Sequence, residues 1–75
     1  MKLTELKIND ECYIVALKVK DEKLKLRLEE LGLYRNNKIK MLFISPLKET
    51  LLIKIFNSAF ALKSNIAKDI IVEKF

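Results

Sequence analysis

Lys38-Ile39-Lys40-Met41-Leu42-Phe43-Ile44, then Ser45-Pro46-Leu47-Lys48-Glu49, then Leu51-Leu52-Ile53-Lys54-Ile55-Phe56 run on almost without a break, and their reading decides the fold. The outer two runs are rich in β-formers. In the first, Ile39, Met41 and Phe43 fall on one face of a strand, because successive side chains alternate. Pro46 has no N–H to give to a ladder, so the residues around it form a loop. The two runs are therefore expected to pair as a hairpin.

Downstream, Asn57-Ser58 marks a two-residue turn into a further strand, Ala59-Phe60-Ala61-Leu62-Lys63. Ser64 is placed to cap a single helical turn through Lys68, and Asp69-Ile70-Ile71-Val72-Glu73 is the final strand. Upstream, Leu33-Tyr34-Arg35-Asn36-Asn37 is a turn, since asparagine tolerates positive φ. Before it, Asp21 is a helix N-cap, and Leu24, Leu28 and Leu31 recur at i, i+4 and i+7 as one apolar stripe. Gly32 supplies the left-handed residue that ends this helix. A helix of about three turns is marginal alone and needs the rest of the chain to cover its stripe. The first strand is Glu11 to Val19, with Cys12, Ile14 and Ala16 on one face and Tyr13, Val15, Leu17 and Val19 on the other. Both faces are apolar, which predicts cover on both sides. The order is β-α-β-β-β-turn-β. Five short strands and one helix predict a mainly β chain, a single domain over residues 1–75, and a closed or nearly closed barrel that hides its apolar edges.

The chain has 75 residues, 51% hydrophobic and 33% charged, a globular mixture. Folding should bury about 60% of the unfolded surface and leave about 4,800 Å² exposed. Most large apolar side chains are then committed to the core, which disfavours a deep catalytic cavity. With no histidine and one cysteine, Cys12, a Ser-His-Asp or Cys-His arrangement is excluded and a zinc site lacks its ligands. The single glycine excludes a glycine-rich phosphate loop. No catalytic, cofactor or metal-ligating residue is assigned, and the chain is read as a non-enzyme. A lone cysteine fits a reducing compartment. No uncharged apolar run, Met41 to Ile44 included, approaches the roughly 20 residues that span a bilayer. The opening Met1-Lys2-Leu3-Thr4-Glu5-Leu6-Lys7 lacks the apolar segment of a signal peptide. A cytoplasmic location is expected. The net charge of +5 invites a nucleic-acid partner, but acids are interleaved with the lysines throughout and no run of five like charges occurs.

Arg27-Leu28-Glu29-Glu30-Leu31-Gly32-Leu33 resembles the RL-x-x-LGL motif of the ferrous iron transport protein A (FeoA) family. Leu62-Lys63-Ser64-Asn65-Ile66-Ala67-Lys68-Asp69-Ile70-Ile71-Val72 is similar to that family's closing stretch, and Leu3-Thr4-Glu5-Leu6-Lys7-Ile8-Asn9-Asp10 to its lead-in. The chain departs from the family at turn glycines, with Asn9-Asp10, Arg35-Asn36 and Asn57-Ser58 in their place; Asn and Asp are the sensible substitutes at positive φ. The resemblance implies an SH3-like barrel, small, cytosolic and without catalysis. It implies a partner, the cytoplasmic GTPase region of the large membrane transporter FeoB, and no bound cofactor. The same barrel resembles the C-terminal domain of DtxR-type repressors, but no helix-turn-helix precedes it here.

Four residues are candidate partner contacts: Leu26, which lies off the leucine stripe; Arg27, with its bidentate guanidinium; Tyr34, just past Gly32; and Leu47, at a loop tip. Cys12 is expected to be a small buried hydrophobe. The alternative function is a small basic barrel that binds nucleic acid, with Phe43 and Phe56 as stacking platforms, although their strand context places both in the core. Direct ferrous-iron binding is a weaker third reading, with millimolar affinity at best expected from so few ligands.

Overall fold

The computed structural model describes residues 1–75. A 3-10 turn, Leu3–Glu5, leads into β1 (Glu11–Leu17), α1 (Glu22–Leu31), β2 (Lys38–Ile44), β3 (Thr50–Ile55), β4 (Ser58–Lys63), a single turn α2 (Ser64–Ala67) and β5 (Ile70–Lys74). The strands make one antiparallel sheet in the order β4-β3-β2-β1-β5, an SH3-like barrel. The sheet stops short of closure, because β4 and β5 do not pair with each other. Its solvent-accessible surface is 5139 Å², near the size expected for this mass. No helix is long and apolar enough to cross a membrane.

The core is built from alternate strand positions. Cys12 and Ile14 of β1, Ile39 and Met41 of β2, Leu51, Ile53 and Ile55 of β3, Leu62 of β4 and Ile70 and Val72 of β5 are buried together. Leu3, Leu6, Leu28, Leu33 and Ala67 complete the cluster from outside the sheet. The second face of β1 is covered only in part, contrary to the expectation of cover on both sides: Tyr13 and Val15 are exposed, whereas Leu17, beyond a register shift between Ile14 and Ala16, packs against the core. The leucine stripe of α1 is also used in part, with Leu28 buried, Leu24 half-buried and Leu31 exposed.

The ends of α1 follow from its sequence. Oδ1 of Asp21 accepts from the N–H groups of Lys23 and Leu24 at 3.0 and 3.2 Å, which satisfies two orphan donors. At the other end Gly32 adopts φ 116°, ψ 1°. Its N–H donates to the Glu29 carbonyl at 3.1 Å, and the Leu33 N–H to the Leu28 carbonyl at 3.0 Å. This is a Schellman ending, with Leu28 and Leu33 supplying its hydrophobic contact. The RL-x-x-LGL motif is thus a helix stop tied to the core.

The asparagine turns behave as expected at Asn9 (φ 75°) and Asn36 (φ 72°). The β3–β4 turn does not. Ile55 pairs with Ser58, so the two central residues are Phe56 and Asn57, and it is Phe56 that takes positive φ, 56°. Ser64 does not cap α2; it is the first residue of the turn, and its N–H donates to the Glu49 carbonyl at 2.9 Å.

Cys12 is 0% exposed, and burial pushes its thiol from near 9 up to about 11. In the native protein it should resist an aromatic disulfide reagent at neutral pH and react stoichiometrically in denaturant; rapid native labelling would contradict this packing. Linkage adds a pH signature. Below about pH 9 the thiol is protonated in both states and contributes no slope. Between about pH 9 and 11 only the unfolded chain loses its proton, so stability falls with rising pH. A Cys12→Ala variant should lack that part of the alkaline decline in urea titrations.

Candidate interaction surface

The outward positions of the sheet line up in transverse rows. One row runs Ala59, Lys54, Lys40, Glu11 across β4, β3, β2 and β1. The next runs Ala61, Leu52, Phe43. Phe43 belongs to this face because of a register shift between Met41 and Phe43: Met41 opposes Ile53, and Phe43 opposes Leu52. A bulge of this kind adds a residue and re-aims the side chains beyond it. Phe43 is consequently 51% exposed and Phe56, in its turn, 64% exposed. Both depart from the core placement expected from their strand context.

A groove of about 420 Å³ opens over the first row, lined by Glu11, Asn37, Lys38, Ile39, Lys40, Lys54 and Phe56. Three ammonium groups and one carboxylate share it. Lys38 Nζ is 3.2 Å from Glu11 Oε2 and 5.0 Å from the centre of the Phe75 ring, which itself stacks on Tyr13 with centroids 4.5 Å apart. Lys40 and Lys54 stand directly opposite each other, and neither has an acid partner. Like charges at such a cross-strand position are unfavourable. Lys54→Glu should therefore raise stability by roughly 0.2–1 kcal/mol in urea denaturation; an unchanged or lower midpoint would show that the two ammonium groups do not repel.

A second, more apolar hollow of about 750 Å³ lies elsewhere, lined by Leu6, Ile8, Ile44 and Leu51 with Thr4, Glu5, Lys7, Lys48 and Ser64. No three side chains among Cys, Asp and Glu converge on a point where a metal ion could sit. Asp10 has its carboxyl held below the usual range chiefly by the Lys7 N–H, which donates to Oδ2 at 2.8 Å, with Lys74 adding at 3.3 Å. That carboxylate closes the turn before β1 and faces no cluster of acids.

The four residues singled out from sequence are all exposed, and they are not gathered in one place. Leu26 (58% exposed) and Arg27 are neighbours on α1, and Arg27 makes no ion pair. Tyr34 follows the helix stop. Leu47 (80% exposed) sits in the β2–β3 loop, at the opposite end of β3 from Phe56, whose ring lies over Gly32. The lysine row lies outside the residues singled out from sequence, although Lys38 and Lys40 alternate with Ile39 and Met41 and so announce an outward face.

The family profile described as FeoA domain matches residues 1–74. The solution structure of a FeoA protein from Chlorobium tepidum is 30% identical and superposes with a TM-score of 0.91, over 99% of this chain and 70% of that one. The iron(II) transport protein A of Clostridium thermocellum is also 30% identical, with a TM-score of 0.89, over 99% of this chain and 45% of that longer one. A zinc-complexed FeoA of Stenotrophomonas maltophilia, described as a prokaryotic SH3 domain protein, is 26% identical with a TM-score of 0.84, over 97% of this chain and 89% of that one. None of the curated proteins compared with the chain matches it.

Proposed function

The chain belongs to the FeoA domain family, associated with ferrous iron transport, and from that premise we propose that it is a cytosolic accessory protein, without catalysis, that docks on the cytoplasmic GTPase region of a FeoB-type transporter and modulates iron uptake. The observation that carries this reading is the family match over nearly the whole chain, in a barrel whose exposed apolar and basic positions lie on its exterior. Such a surface acts by complementarity, with buried aromatic and charged anchors giving most of the affinity. Leu26 and Arg27 on α1 and Tyr34 beyond it are the contacts we assign to that partner, with Leu47 touching it only where the partner reaches the other end of β3. Titration calorimetry of the full chain against the transporter's cytoplasmic domain, with and without guanine nucleotide, tests the reading. Binding at micromolar concentrations is expected, weakened by Arg27→Ala. No heat at tens of micromolar in any nucleotide state would overturn it.

The exposure of Phe43 and Phe56 beside Lys40 and Lys54 favours a second reading, nucleic-acid binding, in which bases stack on the rings. It requires affinity for single strands that falls linearly with log salt.

A further inference from the structure

The two edges of the sheet are treated differently. The edge of β5 is covered by the N-terminal segment: the Val72 N–H donates to the Met1 carbonyl at 2.8 Å, the N-terminal ammonium donates to the Val72 carbonyl at 3.1 Å, and Lys2 bridges to Ile71. The edge of β4 is bare. Outside the elements, no hydrogen bond reaches a backbone group of Ser58 to Leu62, and only Lys63, as the residue before α2, turns its backbone to another element. Protective devices are also missing. β4 has no proline, its register against β3 is unbroken over six pairs, and its only charge is the terminal Lys63. Ser58, Ala59 and Ala61 are all exposed. A regular edge with no charge before its last residue is a template for another strand.

We propose that β4 receives an extended segment of a partner protein as an added strand, and that the outward side chains of this segment are an acid and an apolar residue two positions apart. The spacing follows from the rows. An added strand lies about 4.8 Å beyond β4, so its outward residue opposite Ala59 continues the row Ala59, Lys54, Lys40. The alanine methyl leaves the space above it open. A glutamate there reaches across to the Lys54 ammonium, with Lys40 behind it, and relieves the like-charge pair. Two residues along, the position opposite Ala61 continues the row Ala61, Leu52, Phe43 and takes an apolar side chain.

Charge decides among occupants. A second copy pairing β4 with β4 would bring Lys54 and Lys63 of two chains, each of net charge +5, into one patch. A nucleic-acid strand tracking the face would gain Lys40 and Lys54 and then meet Glu11 and, opposite Tyr13, Glu73. An acidic segment confined to the β4 side meets only lysines. The inference rests on the reading that the chain works by binding a partner and adds the edge and the chemistry of the segment.

The test uses the full, isotope-labelled chain and the synthetic peptide Thr-Glu-Thr-Leu-Thr-Glu-Thr. Expected results are spectral shifts centred on β4 and Lys54, slowed exchange of the β4 amides that point outward, and affinity reduced on the order of tenfold by Lys54→Glu. A peptide with lysine for glutamate should not bind, and peptides N-methylated on alternate amides should lose binding in one of the two registers. Any of these results with the peptide or the chain alone overturns the proposal: no binding of the parent peptide; undiminished binding of both methylated peptides; oligothymidylate displacing the peptide from the same lysines; or β4 amides that become protected as the chain alone is concentrated, which assigns the edge to a second copy. The transporter domain separates this proposal from the functional reading. Domain binding with β4 amides left exchanging sinks the edge and spares the function; peptide binding without domain binding does the reverse.

Discussion

Gly32→Ala should lose about 2–4 kcal/mol of stability, equivalent to a melting point lower by roughly 10–25 °C in a domain of this size. Two costs combine. At φ 116° an L-residue is strained, on the order of 1–2 kcal/mol or more. A Cβ there would also stand 2.5 Å from Ile55 Cγ2, 3.2 Å from Phe56 Cε2 and 3.4 Å from Asn37 Nδ2. Ile55 is 0% exposed and β-branched, so its methyl has neither space nor a free rotamer to retreat into. Asn37 is fixed too, because its Nδ2 donates to the Gly32 carbonyl at 2.6 Å and its Oδ1 accepts from the Lys38 N–H at 3.0 Å. The smaller unfolded-state entropy of alanine returns only about 0.4–1 kcal/mol. Gly32→Asn separates the two costs. Asparagine tolerates positive φ but carries the same Cβ, so it should rescue little. If either variant melted within a few degrees of the parent, the contact between the helix stop and the β3–β4 turn would be wrong.

That contact explains both the success and the failure of the sequence reading. Asp21, Gly32 and the asparagines act locally, through caps and positive φ, and local chemistry is legible in a string of residues. Asn9 and Asn36 stand where the turns need them. The β3–β4 turn was misplaced by one residue because tertiary packing overrides turn propensity there: Phe56 accepts a left-handed backbone, and its ring covers Gly32. The bulge after Met41 was hidden for a related reason. Met41-Leu42-Phe43-Ile44 is apolar at every position, so no polar residue marks the point where alternation slips. Strict period two carries Phe43 into the core; the observed register carries it out beside Leu52. The interaction face was legible at Lys38 and Lys40 and obscured at Phe43 and Phe56. The bare β4 edge could not be read at all, since it depends on where the sheet fails to close.

The covered edge supplies the second large effect. Leu3→Ala should cost about 2–5 kcal/mol, as expected for a fully buried leucine. A domain of this length has roughly 4–11 kcal/mol in total, so the variant should lose a large share of its stability. The N-terminal segment has no ladder to hold it beyond the Lys2–Ile71 bridge and the Met1–Val72 hydrogen bonds. Its 3-10 turn, closed by the Lys2 N–H donating to Glu5 Oε1 at 2.6 Å, aims Leu3 and Leu6 into the core, and these two side chains anchor the strap. Losing Leu3 therefore does two things: it opens a cavity, and it frees the strap from the β5 edge. Fast exchange of the Val72 amide and concentration-dependent association should accompany the lower urea midpoint. Leu3→Met, which nearly conserves volume, should lose less than about 1.5 kcal/mol and keep Val72 protected. If Leu3→Ala stayed within about 1 kcal/mol of the parent, the strap would be held by its backbone alone, and the contrast between a guarded β5 edge and an open β4 edge would lose its physical basis.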